Sequence, residues 1–345
     1  MITKLLRPLA LGALASLASW QMASADPIAD FYNRKTVRVL IGYSTGGGYD
    51  LYARLLAKYM GRHIPGSPTL VPENMPGAGS LRVANYLATA APKDGTVFGT
   101  FSRGLVQEGL LHHSQGVAYD ATKLGWLGSV ADEVSVCGFR KESGIATWQD
   151  MMTKSYTVGG TASGSDTDIY PTLLKNLFDL KLKLVTGFPG GADVDLAVQR
   201  HEVDGRCGWS WSTIQARSRA DYDRGDILIP VQFALKRHPD LPNVPLATEL
   251  TTDPDKVAVL KFISARQAMA RPFAAPPGVP AERLAALRAA FDATMKDQDF
   301  LDEAKKLELE VRPVDGQELA KLVSDLAASP PKVLEESAKY LQDSK

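Results

Sequence analysis

Two periods of apolar and polar residues alternate along this chain. "TVRVLIGY" (36–43) is a β-branched run with the period of a strand. "DLYARLLAKYMG" (50–61) follows, with Leu51, Leu55 and Tyr59 at the i, i+4, i+8 spacing of a helix and Gly61 as its stop signal. The pattern then repeats: "TLVPEN" as a strand, "SLRVANYLATAA" as a helix closed by Pro92, and "TVFGTFS" as a strand. A second block starts near Asp132. It reads "EVSVCGFR", "SYTVGG", "LKLVTGF", "GRCGWS" and "DILIPVQF" as strands, with helices "DIYPTLLKNLFD" and "ADVDLAVQRH" between them. Pro171 falls in a first helical turn, where proline is tolerated. A Pro-rich loop, "RHPDLPNVPLATELTTDPDK", comes next. From near Gln267 an extended "AMARPFAAPP" leads into four helical stretches, the first opened by Pro280. Such alternation predicts an α/β fold with parallel-rich sheets covered by helices. Two blocks predict two lobes, residues 26–131 plus 267–345 and residues 132–266, with the tail returning to the first.

The turns between these elements carry the candidate chemistry. "STGGG" (44–48) sits between the first strand and a helix that begins with an acid, Asp50. It fits neither dinucleotide nor P-loop spacing: Leu51 stands where the third glycine of G-x-G-x-x-G belongs, and Gly48-Tyr49 where Lys-Ser/Thr belongs. The general physics survives. A helix start leaves N–H groups unpaired, glycines let a ligand approach that backbone, and the dipole favours an anion there. Ser44 to Gly48 can therefore hold a carboxylate without an arginine. Asp50 either caps the helix or faces the cleft. "ENMPGAGS" (73–80), "GGTASGSDTD" (159–168) and "GFPGGADVD" (187–195) repeat the device, each at the carboxyl end of a strand, where open α/β sheets bind ligands.

The chain has 345 residues, is 45% hydrophobic and has zero formal net charge, which gives no basic excess for nucleic acid. Residues 1–25 have the pattern of a secretory signal peptide: Lys4 and Arg7, an apolar stretch too short to span a bilayer, and Ala23-Ser24-Ala25 for cleavage before Asp26. Its loss would leave two fewer basic than acidic residues. No later segment has the apolar length of a membrane span. The expected compartment is oxidising, the periplasm or the exterior. There Cys137 and Cys207 form a disulfide or stay two buried thiols. The five histidines show no metal spacing, and "GTASG" misplaces serine for a nucleophile elbow. No cofactor or metal is implied. Asp193 and Asp195, on a helix, read as solvated.

In order and wording these segments resemble the substrate-binding receptors of tripartite tricarboxylate transporters, the Bug family. The resemblance runs through Tyr43, "STGG" and Asp50 with Arg54; "NMPGAG" (74–79); "APKDGTVFGT"; "TASGSD"; "GFPGGADVDLAVQRHEVDG"; and "APPGVPAERLAALRAAF". It covers essentially the whole chain after the leader. Gly42 and Ser44 replace the family's prolines, and residues 217–261 look long for it. The resemblance implies a two-lobed, type II-like periplasmic-binding-protein fold with a ligand cleft between lobes. It implies a small organic carboxylate held by backbone amides and waters from two loops, Tyr43, Ser44, Thr45, Gly46, Gly47, Gly48 with Asp50, and Thr161, Ala162, Ser163, Gly164, Ser165, Asp166. Ser102 and the run Phe188, Pro189, Gly190, Gly191 are further carry-overs, and Trp209 either walls the site or packs in the core. It also makes the strands of Cys137 and Cys207 neighbours, which favours the disulfide. A monomeric periplasmic receptor that delivers its ligand to membrane subunits is the implied function. A secreted hydrolase or lyase on a similar scaffold is the alternative, and a ligand sensor a third class. The absence of arginine from both loops argues against a highly charged ligand, although Arg103 stands close by.

Overall fold

The computed structural model describes residues 26–111 and 116–342. The expected leader and the pair His112–His113 lie outside the described residues. Among the described residues eleven strands form two sheets: β1 (Thr36–Ile41), β2 (Thr69–Asn74), β3 (Val97–Thr100), β4 (Gly125–Ser129), β5 (Ser135–Arg140), β6 (Tyr156–Gly159), β7 (Leu182–Val185), β8 (Gly205–Ser210), β9 (Ile227–Phe233), β10 (Pro272–Ala275) and β11 (Val314–Asp315). The first sheet runs β11-β4-β10-β3-β1-β2 and the second β7-β6-β8-β5-β9. Each has a parallel part, β2-β1-β3 and β7-β6-β8, and an antiparallel part, β3-β10-β4-β11 and β8-β5-β9.

The chain leaves the first sheet after β4 and returns to it with β10. The two crossing segments pair with each other: Val130 N donates to Arg271 O at 3.2 Å, Ala270 N to Ala131 O at 3.0 Å, and Glu133 N to Gln267 O at 2.9 Å. Two paired strands of backbone between two sheets make a natural hinge.

Local sequence explains most of the elements. Alternation along β1 sends Val37, Val39 and Ile41 into one core with Leu55 and Leu56 of helix Gly48–Met60 and Leu287 and Phe291 of helix Ala281–Thr294. Leu40 points to the other face. There a larger core runs from Val83 and Leu87 through Leu105 and Val106 of helix Gly104–Leu111 to Leu173 and Ile263 of the second lobe. The Pro-rich stretch is only partly loop: Asp253 caps a helix, Pro254–Ser264, with Pro254 at its first position. The final helix, Pro331–Leu341, packs on helices Asp166–Phe178 and Pro254–Ser264 and also on helix Gly104–Leu111. Cys137 of β5 and Cys207 of β8 are joined by a disulfide, both fully buried.

Candidate functional site

Four helices start at one place between the two sheets. Helix Gly48–Met60 follows β1, helix Asp166–Phe178 follows β6, helix Gly191–Gln199 follows β7, and helix Trp211–Asp223 follows β8. Their first turns supply Gly48, Tyr49, Asp166, Thr167, Gly191 and Thr213 to the wall of a cavity of about 40 Å³. Residues of both lobes line it, Tyr43 and Ser102 from the first and Thr161 and Ser210 from the second. Helix starts present unpaired N–H groups and the positive end of the dipole, and four of them here point to an anion.

The glycine turn is held in shape by the acid that follows it. Asp50 is 3% exposed and accepts from Gly46 N at 2.8 Å, Arg54 Nε at 2.9 Å and Asn74 Nδ2 at 2.8 Å. Burial alone would raise its pKa; the bonds from Arg54, Gly46 and Asn74 outweigh that and hold it below the usual carboxylate value. Both its oxygens are thus occupied, and it does not line the cavity. The "NMPGAG" segment is a second brace. Gly77, Ala78, Gly79 and Ser80 all have positive φ, and Ser80 Oγ accepts from Ser102 N at 2.7 Å. This run of left-handed residues, two of them not glycine, is costly backbone that places Ser102 at the cavity wall.

Of the residues expected from sequence, the structure brings Tyr43, Gly47, Gly48, Ser102, Thr161 and Asp166 to the cavity. The others flank it. Thr45, Ser163 and Pro189 lie on the surface, and Phe188 packs beside Val203. Ser165 bonds Thr161 and Thr167, which shapes its own loop. Gly79 abuts Ala162 and Ser165, Gly104 abuts Gly164, and Gly190 abuts Ser44, so these residues form the contact between the lobes. Trp209 is in the core with Val136 and Trp211.

Sequence reasoning noted Arg103 beside the loops but missed Arg206 and Arg271. Arg103, Arg206 and Arg271 all line the cavity, yet none belongs to either expected loop. Arg103 bonds Asp166 across the lobes, Nε to Oδ2 at 2.7 Å, and also bonds Ser135 Oγ and Ala270 O. Arg271 lies over the rings of Tyr49 and Tyr52, with its Nη2 3.0 Å from Glu133 Oε2 and 3.1 Å from Ser212 Oγ. Arg206 Nη1 donates to Gly191 O at 3.1 Å and Asp195 Oδ1 at 2.7 Å. The two acids read as solvated are therefore engaged. Asp195 is paired to Arg206, with burial raising its pKa against that partner, and Asp193 accepts from Ser44 Oγ at 2.6 Å across the cleft. "GRCGWS" and "AMARPF" were legible as strands, but nothing in their sequence says which end meets the cleft. Among the described residues no group of His, Cys, Asp and Glu could hold a metal ion, and no helix is long and apolar enough to cross a membrane.

Solved structures share this architecture. The periplasmic binding protein BugD superposes with a TM-score of 0.73 at 20% identity, over 90% of this chain and 98% of that one. MatC from Rhodopseudomonas palustris, with bound malate, gives 0.69 at 21% identity over 88% and 99%. A second R. palustris protein, with adipate, gives 0.68 at 18% over 89% and 97%. A UPF0065 protein from the gbd 5′ region of Cupriavidus necator is 36% identical over 83 residues, 24% of this chain and 25% of that protein. No family model matches. The chain thus has the fold of the Bug-type periplasmic binding proteins across nearly its whole described length, as its motifs imply.

Proposed function

We propose that this chain is a periplasmic solute receptor that binds a small organic carboxylate between its lobes and delivers it to the membrane subunits of a tripartite transporter. The observation that carries the reading is the meeting of four helix starts at one closed interlobe cavity. Tyr43, Gly47, Gly48, Ser102, Thr161 and Asp166 are its ligand contacts. Malate in MatC and adipate in the second R. palustris structure support the ligand class. Closure follows from the hinge of two paired crossing segments: a ligand that touches both lobes stabilises the closed form by its differential affinity for it.

The test is thermal stabilisation of the purified, ligand-stripped protein by a panel of organic acids. An acid at a hundred times its Kd should add about 2.7 kcal/mol. A shift confined to one class of carboxylate supports the receptor. No shift with any acid, in protein shown to be folded, refutes it and favours a secreted enzyme. Delivery is tested separately: added receptor should restore uptake of that acid by spheroplasts carrying the membrane subunits.

A further inference from the structure

The glycine turn of the first lobe meets the second lobe at successive points, from the hinge outwards. Nearest the hinge, a Cβ placed on Gly48 would be 2.5 Å from Thr213 Oγ1 and 3.2 Å from Arg271 Nη2. Arg271 is itself bonded to Ala270 O and Glu133 Oε2, one on each crossing segment. Next, a Cβ on Gly47 would lie 3.8 Å from Ala192 N. Last in this series, a Cβ on Gly190 would stand 2.3 Å from Ser44 Oγ and 3.1 Å from Ser44 N. Rotation about a hinge moves a contact in proportion to its distance from the axis, so Ser44 and Gly190 separate furthest when the lobes part.

One hydrogen bond closes this rim. Ser44 Oγ donates to Asp193 Oδ2 at 2.6 Å, between residues 149 apart in the sequence. Asp193 lies in the first turn of helix Gly191–Gln199, where the dipole favours an ionised carboxylate. Neither Ser44 nor Asp193 lines the ligand cavity. The bond is made by closure itself, with or without a ligand. Opening exchanges it for water at both ends, so its net worth goes entirely to the closed form. The Arg103–Asp166 pair also bridges the lobes, but both residues line the cavity, so a change there alters the ligand contacts as well.

We propose that Ser44 and Asp193 form a clasp that holds the empty protein partly closed and sets the affinity for every ligand by one common factor. The clasp touches no ligand, so it does not discriminate among them. The apparent Kd is the Kd of the closed form divided by the closed fraction, whatever the ligand. Specificity stays with the cavity. The common factor in affinity rests on the receptor reading above; the clasp itself does not.

Ser44→Ala removes the hydroxyl and adds no atom to the crowded contact with Gly190. In ligand-stripped protein it should raise the open-to-closed ratio about 10-fold, the low end for a hydrogen bond to a charged group. Small-angle scattering should read this as a larger radius of gyration, with the melting temperature essentially unchanged because each lobe keeps its core. Asp193→Asn, which keeps an acceptor without the charge, should expand the protein less. Ser44→Ala should add nothing in an Asp193→Ala background, where the partner is already gone. An unchanged radius in folded Ser44→Ala overturns the clasp, and no ligand is needed to see it. Calorimetry with malate and adipate then tests the common factor. Ser44→Ala should weaken both acids equally, by the factor that the closed fraction falls. Weakening of one acid and not the other makes Ser44 a ligand contact and overturns the proposal. If the wild-type protein binds neither these nor any other carboxylate, the receptor reading falls, and the scattering result alone decides the clasp.

Discussion

Gly47 and Gly48 look interchangeable in the sequence, and the fold separates them. A Cβ on Gly47 meets nothing nearer than Ala192 N at 3.8 Å, an ordinary contact. A Cβ on Gly48 would lie 2.5 Å from Thr213 Oγ1, a residue of the opposite lobe. Gly48→Ala should therefore hold the lobes apart and weaken binding about 10-fold or more, the range of an overpacked contact, while Gly47→Ala leaves the approach of the lobes unhindered. Calorimetry on both variants checks this, and Gly48→Ala with Thr213→Ala should recover affinity if the clash is the cause. Asp50 belongs to the same turn. Its depressed pKa means that its bonds stabilise the fold above its unfolded pKa of about 3.9, and that this stability is lost as pH falls through the folded value below it. Asp50→Asn should cost about 1–3 kcal/mol at pH 7. Thermal scans should show the gap to the wild-type protein narrowing below roughly pH 4; a gap that persists at pH 2 would assign the loss to packing instead.

At the scale of elements, the alternating strands and helices were legible because each has its own period, and β2 and β8 begin and end where their strand patterns do. β4, "GWLGS", was not read, since glycine and serine give a five-residue strand no alternation, although all of it is buried. Helix Trp211–Asp223 was missed for a related reason: its apolar residues crowd into its first turn and leave no stripe. The glycine turns of the site were legible because backbone chemistry leaves a local signature. Arg206 and Arg271 were not, because β8 and the segment entering β10 acquire a shared cavity only through topology. The disulfide between β5 and β8 stabilises at this scale. It closes a separation of 70 residues, for which chain entropy gives about 4 kcal/mol. Replacing both cysteines by serine should lower the unfolding free energy by about 2–4 kcal/mol in urea titrations. A loss under about 1 kcal/mol would mean that residual structure already restricts the unfolded chain without the bridge.

For the whole molecule, the closed form depends on what is buried between the lobes. One such contact is the ion pair of Arg103, after β3, with Asp166, at the start of the second lobe's helix; the side chains are 2% and 9% exposed. Arg266, fully buried, also approaches Asp166 at 3.5 Å. Removing one member of a buried pair costs about 3–5 kcal/mol because the other charge is stranded. A two-lobed protein can avoid that cost by opening, which returns Arg103 to water while each lobe keeps its core. Asp166→Asn should therefore shift the ligand-free protein towards the open form more than it promotes unfolding. Small-angle scattering should report a larger radius of gyration than wild type, with the melting temperature lowered by only a few degrees. If the radius is unchanged and the melting temperature falls steeply, Asp166 acts as a core residue of a rigid molecule. The apolar core that runs through helix Gly104–Leu111 would then hold the lobes together, leaving the crossing segments no hinge to serve.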